Sequence, residues 1–183
     1  MMCTPFLNRV PVSYLILIGL MVLLSVHASA QEASSKTDDQ LNKAVLEFTA
    51  QLQKEKEELS PADRFAVDTF RIEKQLKLSI EADYSRNGMM LATYKALDGY
   101  DDLLNQYYQA LINQLTPEDQ SILKKAQRHW LAYRDAEIEL NRITTEDQYT
   151  GGGSIHLLVK AHRNLEITKQ RVIELQAYLM RTI

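Results

Sequence analysis

Residues 85–119 read SRNGMMLATYKALDGYDDLLNQYYQALINQLTPED, and this stretch decides the fold class. Met89, Ala92, Ala96, Tyr100, Leu104, Tyr107 and Leu111 recur every three or four residues, lining one side of a helix. Ser85 offers a capping oxygen at its head, although Asn87-Gly88 makes the break before it the weakest boundary in the chain. Thr116-Pro117-Glu118-Asp119 then starts another helix. The hydroxyl caps it, proline takes the first position where its missing N–H costs nothing, and the acids meet the positive helix end.

Ser60-Pro61-Ala62-Asp63 repeats that start and predicts a helix to about Asp83, with Phe65, Thr69, Ile72, Leu76 and Ile80 on one stripe. Upstream, Thr37 or Asp38 caps a helix bearing Leu41, Val45, Phe48 and Leu52, followed by the solvated charges Lys54 to Glu58. Downstream, the helix from Thr116 carries Leu123, Ala126, Trp130, Tyr133 and Leu140. Thr144 to Gly153 is the one long loop, and Ser154 caps a last helix with Leu158, Leu165, Val172, Leu175 and Leu179. No period-2 alternation and no internal repeat is present. The expected fold is all-α: an antiparallel bundle of long helices with an N-terminal helical arm.

Composition divides the 183 residues unequally. Residues 1–30 hold one charged side chain, Arg9, then the apolar run YLILIGLMVLLSV (14–26), then Ala28-Ser29-Ala30. Basic, apolar and small, in that order, predicts a secretory signal cleaved after Ala30. The apolar run falls short of the roughly 20 residues a spanning helix needs. An uncleaved membrane anchor is the minor alternative. Cleavage would leave 153 residues of charge −4 with no cysteine, since Cys3 is the only one, so the core must suffice without disulfides. The expected organisation is a signal peptide over 1–30, a tail and helical arm over 31–84, and a helical domain over 85–183. The product would be periplasmic or secreted, with no stable membrane span after cleavage. The slight negative charge gives no basic field for nucleic acid.

Polar residues form a second pattern. Asp101, Asn105 and Tyr108 share a helix face at i, i+4, i+7, and Gln127, Trp130 and Arg134 share one at i, i+3, i+7. Folding the two helices antiparallel about Leu115-Thr116 sets Asn105 level with Gln127, and Asp101 between Trp130 and Arg134. The same folding around Thr144–Gly153 brings Arg171 near Gln127. These groups would form a polar ladder, either satisfying itself inside the bundle and setting helix register, or opening to receive a partner. A buried Asp101–Arg134 pair would make either alanine variant cost about 1–3 kcal/mol. Trp130 and Tyr133 are core if buried and binding anchors if exposed.

The order D101-xx-L104-N105-xx-Y108, Q127-xx-W130-xx-Y133-R134-D135 and R171-xx-E174-L175-xx-Y178, with Ser85-xxx-Met89 upstream, resembles the LprI-type lysozyme inhibitor domain family over roughly Ser85 to Leu179. The resemblance implies an envelope-facing helical domain that binds a lysozyme-like muramidase. It marks Asp101, Asn105, Tyr108, Gln127, Trp130, Tyr133, Arg134, Asp135 and Arg171 as candidate binding or structural residues. Relatives often carry cysteines near the positions of Ala92 and Ile138, and this chain has apolar residues there.

Catalytic patterns are missing from the sequence. His156 and His162 are six apart, off a common helix face, and no H-E-x-x-H zinc motif occurs. Ser154 after three glycines fits neither G-x-S-x-G nor a phosphate loop, so no metal or cofactor is expected. The expected function is therefore binding, with the muramidase as partner. The alternatives are an interaction or scaffold module for another envelope protein without inhibitor activity, and a cell-wall-fragment binder beside Trp130.

Overall fold

The computed structural model describes residues 35–54, 56–153 and 155–182; the expected signal segment 1–30 and the Ser154 cap lie outside the described residues. Residues 40–183 form one compact unit, which holds the packing described below. Every regular element among the described residues is helical. These are α1 (35–53), α2 (Pro61–Ala82), α3 (Arg86–Gln114), α4 (Pro117–Thr144), the single turn α5 (Asp147–Thr150) and α6 (Ile155–Thr182). No helix among the described residues is long and apolar enough to cross a membrane.

The starts of α2, α3 and α4 lie where capping chemistry sets them, whereas α1 already runs through Thr37 and Asp38, the expected caps. Ser60 Oγ accepts from Asp63 N–H at 3.2 Å while the Asp63 carboxylate accepts from Ser60 N–H at 3.0 Å, satisfying donors at both positions. Thr116 Oγ1 accepts from Asp119 N–H at 3.3 Å, with Pro117 in the first turn. Ser85 Oγ accepts from Gly88 N–H at 3.0 Å, so the doubtful Asn87-Gly88 site lies inside the first turn of α3. Glycine is needed there because a Cβ on residue 88 would lie 2.4 Å from the Asp83 carbonyl oxygen.

Consecutive long helices run antiparallel, so α3 and α6, two steps apart, run parallel, and their contact is the most extensive among α2, α3, α4 and α6. Tyr100, Leu104, Tyr107 and Leu111 of α3 meet Leu165, Val172, Leu175 and Leu179 of α6 in the core. Phe65, Ile72 and Leu76 of α2 pack on that core from the outside. α1 buries Leu41 and Val45 and stacks Phe48 on Phe70 of α2, with ring centroids 4.3 Å apart. Thus α2, in the segment expected as an arm, lies directly on α3.

Tyrosine–carboxylate bonds hold α2 in place. Tyr100 Oη donates to Glu73 at 2.7 Å, Lys169 of α6 donates to the same oxygen, and Tyr107 Oη donates to Asp68 at 3.3 Å. Burial raises the Glu73 carboxyl pKa. Hydrogen bonds from Lys169 and Tyr100 and the Lys169 charge overcome this and leave it below the ordinary value. At Asp68 burial wins, and its pKa is raised. Burial first, then the neighbouring carboxylates, push both phenols upward, so they remain donors.

Two sequence expectations need correction. The α4 stripe is not a core stripe: Ala126 is exposed, and Tyr133 and Leu140 are 54% and 52% exposed. α3 and α6 already close on each other, so α4 leans on α6 mainly through polar side chains, with Leu123 its one buried apolar residue. The long loop is also shorter than expected. α4 continues through Thr144, where Arg142 pairs with Glu139 at 2.8 Å and Glu146 at 2.7 Å, and α5 adds a turn. Thr145 and Glu146 separate α4 from α5, and Gly151, Gly152 and Gly153 follow α5 with φ of 77°, 84° and 118° that side-chain-bearing residues rarely adopt.

Candidate functional site

α4 attaches to α6 through two polar clasps. Near its N-terminal end, Arg171 Nε and Nη2 both donate to the buried Gln127 Oε1 at 3.1 Å, and Nη1 donates to Glu174 at 3.0 Å. Near its C-terminal end, Asn141 Nδ2 donates to Asn164 Oδ1 at 2.9 Å and to the Lys160 carbonyl at 3.0 Å. Such bonds constrain register more sharply than apolar contact, because each has one good geometry. Trp130 has two guanidiniums near its ring, Arg134 5.3 Å and Arg171 5.7 Å from the centroid.

Toward α3, the same helix leaves a gap. An open groove of about 780 Å³ runs between α3 and α4. Asp101, Asn105, Tyr108 and Gln109 line the α3 side; Ser121, Lys124, Gln127, Arg128 and Arg134 line the α4 side; Leu104 and Leu131 add apolar surface. Across one end Arg134 Nη1 meets Asp101 at 3.5 Å. At the other, Gln120 Nε2 donates to the carbonyls of Ile112 and Leu115 at 3.1 and 3.2 Å.

The expected ladder is thus divided by depth. Arg171 and Gln127 form a buried rung, both only 8% exposed. Asp101 and Arg134 form an open rung, with half of the Asp101 side chain in solvent and Arg134 also shared with the exposed Asp135 at 3.3 Å. Asp101–Arg134 is therefore not a buried pair, and the cost of about 1–3 kcal/mol that depended on burial does not apply to it. A solvated pair contributes little, and Asp101→Ala is expected to cost no more than about 1 kcal/mol. Urea denaturation checks this, and a loss above about 2 kcal/mol would require a shielded pair.

The remaining candidates separate by face. Asn105 and Tyr108 line the α3/α4 groove beside Gln127. Trp130 and Tyr133 line a smaller depression with Glu166, Ile167, Gln170 and Glu174 of α6. Lys124, Arg128, Gln109 and Ser121 of the groove, and the Asn141–Asn164 clasp, were not singled out by the sequence. Lys124, Arg128, Leu131 and Arg134 do recur at helical spacing. That pattern alone cannot distinguish a groove wall from an ordinary solvated face. Among the described residues, no group of three or more histidine, cysteine or acidic side chains is placed to hold a metal ion.

Compared with known families, residues 80–175 match the family described as lysozyme inhibitor LprI. No curated protein and no solved structure matches the chain.

Proposed function

The chain belongs to the LprI lysozyme inhibitor family, and from that premise we propose that it is an exported, non-catalytic binding protein that inhibits a lysozyme-like muramidase in the cell envelope. The match over 80–175 is the observation that carries this reading. Charge and shape support it. The chain is net negative, which favours encounter with a cationic enzyme but does not supply affinity. The α4–α6 connection presents Asp147 and a 65% exposed Tyr149, followed by three glycines that let the chain turn sharply. An exposed tyrosine backed by a short helical turn suits a docking anchor, because it carries large contact area with few side-chain torsions to immobilise.

The test is a turbidity assay in which purified protein is titrated into a muramidase acting on cell-wall substrate. Lysis should fall as the protein reaches stoichiometric excess, and undiminished lysis there would sink the reading. Tyr149→Ala should weaken inhibition by about ten-fold or more, as loss of an interface anchor does, with an unchanged thermal melt. Full inhibition by that variant would move the contact elsewhere on the bundle. A second reading, an envelope interaction module for another protein, is favoured by α1 and by α2, which lies almost wholly outside the matched segment.

A further inference from the structure

The groove between α3 and α4 has a composition that docking through the α4–α6 connection does not use. Two helix faces, both polar, stand opposite each other and are joined at the ends by Asp101–Arg134 and by Gln120 on the Ile112 and Leu115 carbonyls. Among the described residues, neither Lys124 nor Arg128 has an acidic partner. Asn105 and Gln109 face the same space. The groove therefore carries three cations, Lys124, Arg128 and Arg134, against one carboxylate, Asp101, on a chain whose overall charge is negative. Local charge opposite to the global charge marks a place where an anion is favoured.

Three features narrow the chemistry of the ligand. The volume lies within the range of small-molecule sites, and the lining sets charged and amide groups beside apolar surface, which suits a ligand with both polar groups and apolar faces. Lys124 to Arg134 covers about 15 Å of helix, so the positive charge is spread along the groove and suits an extended ligand. The amides of Asn105 and Gln109 can both donate and accept, as hydroxyl groups do, while Tyr108, Leu104 and Leu131 supply apolar surface for the faces of sugar rings. We propose that this groove binds a short acidic oligosaccharide, its carboxylates on Lys124 and Arg128 and its hydroxyls on the amides of α3. The site is separate from the α4–α6 connection, and calorimetry of the chain alone tests it without a muramidase present.

Isothermal titration calorimetry of the full chain tests the proposal with three probes: trigalacturonate, neutral tri-N-acetylglucosamine and inorganic phosphate. Trigalacturonate should bind, and more weakly as salt is raised. Lys124→Ala/Arg128→Ala should weaken it by about ten-fold or more, since charge-assisted hydrogen bonds are lost. Both side chains lie on the exposed face of α4, and a thermal melt of the double variant checks that the fold is retained. No binding of trigalacturonate overturns the proposal, as does equal binding by the folded double variant. Equal affinity for the neutral trimer would show that the cations are not used. Equal affinity for phosphate would show a simple anion site, and either result overturns the saccharide assignment.

Discussion

Tyr100→Ala is expected to lower the unfolding free energy by about 4 kcal/mol, the largest effect of any substitution considered for this chain. The ring is only 1% exposed and stands in the core between α3 and α6, with α2 outside it. Its removal leaves a cavity that neighbouring helices can only partly close. It also takes the phenol from Glu73 and the ring from beside Lys169, whose ammonium lies 5.6 Å from the centroid. Tyr100→Phe separates the contributions. It keeps the ring and removes one hydrogen bond to a charged group, with an expected loss of about 1–3 kcal/mol. Urea melts followed by far-ultraviolet circular dichroism measure both. An alanine variant within about 1 kcal/mol of the native protein would exclude Tyr100 from the cooperative core.

Arg171→Ala is expected to cost about 3 kcal/mol, far more than Asp101→Ala, although both were expected in one ladder. The difference is burial. Arg171 places two donors on the buried Gln127 carbonyl, and its loss leaves that oxygen without its partner where water has poor access. It also removes a guanidinium packed against Trp130. Arg171→Met should recover the packing but not the polar satisfaction. Arg171→Met/Gln127→Leu should recover most of the stability, because replacing both partners with apolar groups removes the unmet hydrogen bond. Chemical denaturation of the three variants gives the comparison. If the double variant were no more stable than Arg171→Met, the Gln127 carbonyl would not be the source of the cost.

The α3 stripe and the starts of α2, α3 and α4 were legible in the sequence because both depend on local geometry. A hydroxyl at the cap bonds an amide three residues on, and proline tolerates the first turn whatever lies elsewhere in the chain. The long α4 stripe misled for a tertiary reason. Trp130, Tyr133 and Leu140 recur at helical intervals, but periodicity marks a face without naming what covers it. α3 and α6 pack on each other so fully that α4 is left at the side, half of its stripe in water.

The candidate site shows the same division. Antiparallel folding about the Leu115-Thr116 turn was enough to bring Asp101 to Arg134, and folding about the later loop brought Arg171 to Gln127. Depth was not readable, because it depends on how far each helix axis stands from the next. The sequence by itself determined an all-α chain, its main helix starts and the family motif. Only the tertiary structure decided that Arg171 and Gln127 are buried, that Asp101 and Arg134 stay at the water's edge, and that α3 and α4 leave a basic groove between them. Hydrogen-bonded caps act over four residues, whereas burial and grooves depend on helices brought together from distant parts of the chain.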